Sequence, residues 1–321
     1  MESDGIRNGN DFFGSTIYYP ENTTKLLSSI IIIPGFANPQ LSIQTWGPFL
    51  ASHGLVCMTI GTNSIFEEVI ERKKALQDAL ISLKAEHSRI GSPLFNLLDT
   101  NLIALGGWSM GGGGAQLAAV EDSSIKAILA FCPWIEPGNV ASVLLNQNVP
   151  ILIFSGQLDV IAPPSSHANA QYNNTPITTP KLKYEVFLGD HTIANTPFGG
   201  FGDVGRMGLS WLKKYLVKDS CYCPLLIDVP SSASDYKTNI DCSSEINFIN
   251  FKKLIRAYPN PVKNYIYLKK PVNGLQYNIK SVSGEKKISG NISGNKISVY
   301  KLKKGFYLLD VDGYKLKIIK N

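Results

Sequence analysis

The sequence predicts an α/β fold, a doubly wound and mostly parallel sheet, followed by a small all-β domain. Three observations predict it. Short runs of β-branched and aliphatic residues alternate with stretches of helical periodicity. One such run, Leu102 to Trp108, stops at a serine set between glycines and restarts as a small-residue segment. The charge also changes sign: residues 252–321 carry 16 Lys and Arg against 3 Asp and Glu, a balance of +13, while residues 1–251 carry 15 against 22, a balance of −7. Opposite balances in successive stretches mark two modules, placed at residues 1–245 and 246–321.

The elements follow in order. Ser15–Tyr19 alternates weakly and reads as an early edge strand. Ser28–Ile33 is a fully apolar β-branched run ending at Pro34-Gly35, which predicts a central strand feeding a loop. Trp46–Ser52 reads as a short helix closed by Gly54, ahead of a buried strand over Leu55–Ile60. Ser64 and Glu67 form a capping-box pattern, and Val69, Ile70, Leu76, Ala79, Leu80 and Leu83 follow at helical spacing, so a helix of about 20 residues is predicted, with Glu68 and Arg72 pairing on its exposed face. Ile125–Cys132 and Ile151–Ser155 are further short apolar runs. Leu182–Leu188 is a strand with alternation, and Met207–Leu216 is a helix.

Beyond Ser220 the texture changes. Pro230-Ser231-Ser232-Ala233-Ser234 reads as linker. From about Phe251 onward, five lysine-rich β patterns occur at Tyr265–Leu268, Tyr277–Val282, Lys296–Tyr300, Phe306–Val311 and Lys315–Ile319. They are separated by turn signals at Asn273-Gly274, Ser283-Gly284, Gly294-Asn295 and Asp312-Gly313. Lysines alternating with apolar residues read as the wet faces of half-buried strands, and nucleic-acid binding is not expected.

Bulk properties bound the rest. A chain of 321 residues with 44% hydrophobic composition can bury a sizeable core. No apolar run approaches the roughly 20 residues that cross a bilayer, so no transmembrane segment is expected. Met1-Glu2-Ser3-Asp4-Gly5 is polar and acidic and does not read as a signal peptide. Of five cysteines, Cys57 and Cys132 fall in apolar runs, whereas Cys221, Cys223 and Cys242 lie in polar sequence. A disulfide between Cys242 and either Cys223 or Cys221 is expected, which implies an oxidising compartment. Cys221-Tyr222-Cys223 lacks the second pair of a zinc site, and no metal is expected.

Chemistry concentrates at Gly107-Trp108-Ser109-Met110-Gly111. This is G-x-S-x-G in its required context: the serine sits on a sharp strand-to-helix turn, and the N–H groups of the following helix face it. A serine hydroxyl needs a base, and the base needs a carboxylate to hold its tautomer. Of the four histidines, His53 and His87 precede the serine and read as surface or helix-end residues, and His167 reads as the start of a helix. His191 stands directly after a strand, where open α/β sheets bind their ligands. Asp159 is likewise just past an apolar strand, and Asp190 is too close in sequence to point at His191. The predicted catalytic set is therefore Ser109, Asp159 and His191, with the Met110 and Phe36 N–H groups as the oxyanion hole.

These residues carry a resemblance. The run from Gly107 to Gly114, Pro34-Gly35-Phe36, Cys132-Pro133-Trp134, Asp159-Val160-Ile161-Ala162-Pro163 and the His191 loop together resemble the cutinase-like polyester hydrolases of the α/β-hydrolase superfamily, which include bacterial PET hydrolases. The likeness runs from about residue 12 to residue 245. It implies a secreted serine esterase acting on polyester or cutin-like esters through an acyl-enzyme, without a cofactor. It also implies that Phe36, Met110, Trp134 and Ile161 contact the acyl unit, and that Trp108 and the four glycines after Ser109 belong to an open cleft. Phe36 stands where many relatives have tyrosine, and Asp190 replaces a smaller residue before the histidine. The alternatives are an esterase for small or lipid esters, resembling dienelactone hydrolases or lipases, and a non-catalytic surface binding module. Tyr258-Pro259-Asn260-Pro261-Val262, Gly305-Phe306-Tyr307 and the terminal lysine-rich strand resemble the C-terminal sorting domain of type IX secretion in Bacteroidetes. That implies export through the type IX machinery, to the cell surface or beyond, of a chain expected to be a monomer.

Overall fold

The computed structural model describes residues 9–136, 145–242, 257–268, 273–281, 285–311 and 314–321. The chain forms two compact units, Met1–Cys242 and Ser243–Asn321. The first is built on an eight-stranded sheet in the order β1-β3-β2-β4-β5-β6-β7-β8. Its strands are β1 Ser15–Tyr18, β2 Leu27–Ile33, β3 Val56–Ile60, β4 Leu98–Trp108, β5 Ile128–Phe131, β6 Ile151–Gly156, β7 Lys181–Val186 and β8 Ala233–Thr238. The six inner strands are parallel and the two edges antiparallel.

Both faces of this sheet are covered, which is why β2 is buried at every position. Ile31 and Ile33 point into one core with Leu76, Ala79 and Leu83 of α2 (Val69–Glu86) and Ala115 and Ala118 of α3 (Met110–Glu121). Ile30 and Ile32 point into the other, with Trp46 and Leu50 of α1 (Trp46–Ala51) and Met207, Trp211 and Leu212 of α5 (Asp203–Tyr215). Each fully buried isoleucine contributes roughly 1.5–3 kcal/mol. Consecutive residues of one strand therefore hold the two helical layers to the sheet. Among the described residues the remaining α-helices are α4 (Ala168–Asn174) and α6 (Cys223–Ile227).

The structure corrects the sequence reading in several places. Arg72 does not pair with Glu68 on an exposed face: it has no exposed surface, and its guanidinium is spent on main-chain carbonyls. The capping-box residues do meet, Ser64 N donating to Glu67 Oε1 at 3.2 Å, but the helix begins only at Val69. The Ile65 and Glu67 carbonyls that would accept from the next turn are bound instead by Ala37 N–H and Arg72. Part of the predicted linker is strand: Ala233–Thr238 pairs with β7 as the sheet edge. The alternation in β7 marks no wet face. Lys181 and Lys183 are buried, Lys181 Nζ donating to the Tyr172 and Thr175 carbonyls and Lys183 Nζ meeting Asp235 at 2.6 Å. Cys242 bonds to Cys223, across a sequence separation of 19, and Cys221 is free and exposed.

The second unit holds two antiparallel sheets, ordered β13-β10-β9 and β12-β11-β14-β15. The strands are β9 Ala257–Tyr258, β10 Tyr265–Leu268, β11 Gln276–Ser281, β12 Lys286–Asn291, β13 Lys296–Ser298, β14 Gly305–Val311 and β15 Tyr314–Lys320. Their inward residues, among them Ile266, Leu268, Ile279, Ile297 and Leu309, make one core with Val262 from the segment between β9 and β10. Five of these strands overlie the five predicted patterns. β12 is almost wholly exposed and carries no period, and β9 has two residues, so neither left a signal. The predicted turns at Ser283-Gly284 and Asp312-Gly313 lie outside the described residues.

Candidate active site

β4 brings the chain to Ser109, which adopts φ 56° and ψ −123°. That is an uncommon conformation for a residue with a side chain, and the surroundings must hold it. Ser109 N–H donates to the Phe131 carbonyl at 2.8 Å, and the Ser109 carbonyl accepts from Gly113 N at 3.1 Å and Trp134 N at 2.9 Å. The motif glycines permit the close approach this requires. A Cβ on Gly107 would lie 2.2 Å from the Gly111 carbonyl carbon, and one on Gly111 would lie 2.6 Å from both the Ile33 and Pro34 oxygens.

Those contacts correct the cleft reading of the glycines. Gly111, Gly112, Gly113 and Gly114 are all buried, and each meets neighbouring main chain or side chains. They let α3 pack tightly and line no open surface.

Asp159 follows β6, and His191 follows β7. The two loops are joined through Leu158 N donating to the Gly189 carbonyl at 2.7 Å and Leu188 N donating to Gln157 Oε1 at 3.0 Å. Asp159, 3% exposed, accepts from Ile161 N at 2.9 Å and Ala162 N at 2.8 Å with Oδ1. Its Oδ2 lies 2.7 Å from His191 Nδ1. A carboxylate there favours the tautomer with the proton on Nδ1, which leaves the Nε2 lone pair free to act as a base. Asp190 accepts instead from Thr192 N and Oγ1. His53 is exposed and His87 caps the end of α2.

The residues expected around the reacting carbonyl separate by exposure. Phe36 is 41% exposed and Ile161 59%, and Trp134 keeps part of its surface. Met110 opens α3. Trp108 differs, being only 4% exposed: its ring lies 5.4 Å from that of His191, and its Nε1 donates to the His191 carbonyl at 2.8 Å. It braces the histidine loop and has little surface to offer a substrate. His167, the residue before α4, stacks on Trp134 at 5.6 Å. Burial holds its pKa below the ordinary histidine value. Neither contact left a signal in the sequence, because both join residues far apart along the chain.

Residues 1–244 match the family described as PET hydrolase-like. The chain belongs to the PET hydrolase-like family. Residues 256–321 match a secretion system C-terminal sorting domain. Among curated relatives of this PET hydrolase-like chain, Cutinase 2 of Thermobifida cellulosilytica is 34% identical over 220 residues, covering 68% of this chain and 79% of its own. Lipase 1 of Moraxella sp. (strain TA144) is 34% identical, covering 72% of this chain and 70% of its own. The bis(hydroxyethyl) terephthalate hydrolase of Streptomyces coelicolor is 33% identical, covering 67% of each. This PET hydrolase-like protein is a carboxylic ester hydrolase, and its tail marks it for type IX secretion.

Proposed function

We propose that this esterase hydrolyses polyester or cutin-like esters through Ser109, His191 and Asp159. The observation that carries the reading is the 2.7 Å contact between Asp159 Oδ2 and His191 Nδ1, in loops that follow adjacent parallel strands. His191 Nε2 takes the Ser109 proton as Oγ attacks the ester carbonyl, and Asp159 stabilises the imidazolium that forms. The oxyanion binds the Phe36 and Met110 N–H groups. The alcohol leaves with the proton from His191, and a water activated by the same nitrogen then releases the acid from Ser109.

The partly exposed Phe36, Trp134 and Ile161 offer apolar surface to a bulky acyl unit. Relatives named as cutinases and as a terephthalate ester hydrolase favour that substrate class. A relative named as a lipase favours the second reading, turnover of long-chain esters. Catalysis is assigned to residues 1–245 and export to residues 246–321. Ser109→Ala is expected to abolish p-nitrophenyl ester turnover, and retained activity would remove the assignment. Identifying the products released from a polyester film, beside turnover of short and long acyl esters, separates the two substrates.

A further inference from the structure

Arg72 is, with Lys181 and Lys183, a cation buried in the described part of the catalytic unit, and the one arginine of the three. It lies in the first turn of α2 with no exposed surface, and all three of its hydrogen bonds go to main-chain carbonyls. Nη1 donates to Pro34 at 2.9 Å, Nη2 to Ile65 at 3.0 Å and Nε to Glu67 at 3.1 Å. Burial costs a guanidinium hydration, and it lowers the Arg72 pKa to about 10 despite the nearby charges of Glu67 and Glu71. A core needing only bulk here is served as well by leucine or methionine. The guanidinium's planar fork serves instead to gather several acceptors in fixed directions.

The acceptors belong to two loops, the first of them beside the nucleophile. Pro34 begins the loop that carries Phe36, and its oxygen lies where a Cβ on Gly111 would be 2.6 Å away. Gly35 is so close to the nucleophile turn that its own Cβ would lie 2.8 Å from Ser109 Cβ. Ile65 and Glu67 belong to the second loop, which reaches the first through Ala37 N donating to the Ile65 carbonyl at 2.7 Å. Ala37 is held at φ 58°, a conformation that costs free energy and persists only where neighbours enforce it. At the rim, the Phe36 and Phe66 rings meet edge to face at 5.8 Å.

We infer that Arg72 is a positioning residue for the oxyanion hole, clamping the loop that carries Phe36 N–H against the Ser109 turn. It touches no substrate. It fixes the main chain on one side of the reacting carbonyl, while Met110 N–H is fixed on the other by α3. Electrostatic stabilisation of an oxyanion falls steeply when a donor drifts from its place, because the donor is then no longer preorganised for the charge that develops. This inference rests on the proposed triad, and its test keeps the two apart.

The test compares wild type, Arg72→Lys, Asn38→Ala and Ser109→Ala with p-nitrophenyl butyrate as substrate and phenylboronic acid as a tetrahedral probe. Arg72→Lys keeps the charge but cannot span three carbonyls. Its kcat is expected to fall roughly ten- to a hundredfold, short of the roughly hundred- to thousandfold cost of losing one oxyanion donor outright because the donor is displaced and not removed, with KM within about twofold. Boronate affinity should fall alongside kcat. Asn38 is half-buried and donates from Nδ2 to the Phe36 carbonyl at 2.8 Å, bracing the same loop. Asn38→Ala should show the same pattern in smaller measure, about two- to fivefold. The inference is overturned if folded Arg72→Lys keeps wild-type kcat and boronate affinity at a lowered melting temperature, or if its loss falls on KM alone. Should Arg72→Lys not fold, wild-type kcat and boronate affinity in Asn38→Ala overturn it. Turnover retained by Ser109→Ala strikes the triad itself, whatever Arg72 does.

Discussion

Replacing Asp159 with asparagine tests the proposed acid at a single atom. Oδ1 already accepts from the Ile161 and Ala162 N–H groups at 2.9 and 2.8 Å, and Oδ2 faces His191 Nδ1 at 2.7 Å. Asparagine must choose which way to turn its amide. Turning its NH2 toward Ile161 and Ala162 would leave buried donors facing donors, at about 1–3 kcal/mol for each unsatisfied group. The oxygen therefore stays on the two N–H groups, and the NH2 is presented to the imidazole. His191 must then accept at Nδ1 and carry its proton on Nε2, where it can no longer take one from Ser109. The expected loss in kcat is about 10⁴-fold, as for the same change in a serine protease triad. That corresponds to about 5.4 kcal/mol of barrier. Steady-state hydrolysis of p-nitrophenyl butyrate at pH 7 reads it, with circular dichroism confirming the fold and KM expected within a few-fold of wild type. A folded Asp159→Asn enzyme within tenfold of wild-type kcat would refute the assignment.

Other predictions follow from single contacts. Trp108→Phe keeps the packing against His191 but removes the donor to its carbonyl, so a fall in kcat of about five- to tenfold is expected, matching the roughly 1 kcal/mol of one hydrogen bond; an unchanged kcat would show the brace to be idle. Gly111→Ala places a methyl 2.6 Å from two carbonyl oxygens and should destabilise by about 1–3 kcal/mol or more in urea unfolding while lowering kcat. Cys242→Ser opens the Cys223–Cys242 link and should cost about 3 kcal/mol of stability, read as a lower urea midpoint against wild type under oxidising conditions. His167 is held below the ordinary histidine pKa, so the unfolded chain binds its proton first as pH falls. Its contribution is fully present above about pH 6.5 and is lost as pH drops toward the lowered folded value. His167→Asn should flatten the stability-versus-pH curve in that window; an unaltered slope would remove His167 as its source.

Much of the fold was legible because its signals are local. β2 reads as a central strand from its β-branched run, and Ser109, Asp159 and His191 each stand just beyond such a run, where parallel sheets present their loops. What escaped was decided by partners distant in sequence. Arg72 looked like a surface arginine at an i, i+4 spacing from Glu68, and nothing nearby in the chain foretells the Pro34 carbonyl. The four glycines looked like open space, yet α3 packs on backbone there. Pro230 to Ser234 looked like linker because serines dominate it, although Ala233–Thr238 completes the sheet edge against β7.

By itself, the sequence determined the strand-and-helix order, the two modules of opposite charge and the strand ends at which chemistry is sought. These follow from apolar periodicity and turn chemistry, which act over a few residues. Only the tertiary structure decided that Cys223 rather than Cys221 bonds to Cys242, that Trp108 serves the histidine loop, and that a buried arginine grips the Phe36 loop. Each of these depends on which distant groups burial brings within about 3 Å of one another. Such pairings are set by packing, which periodicity does not encode.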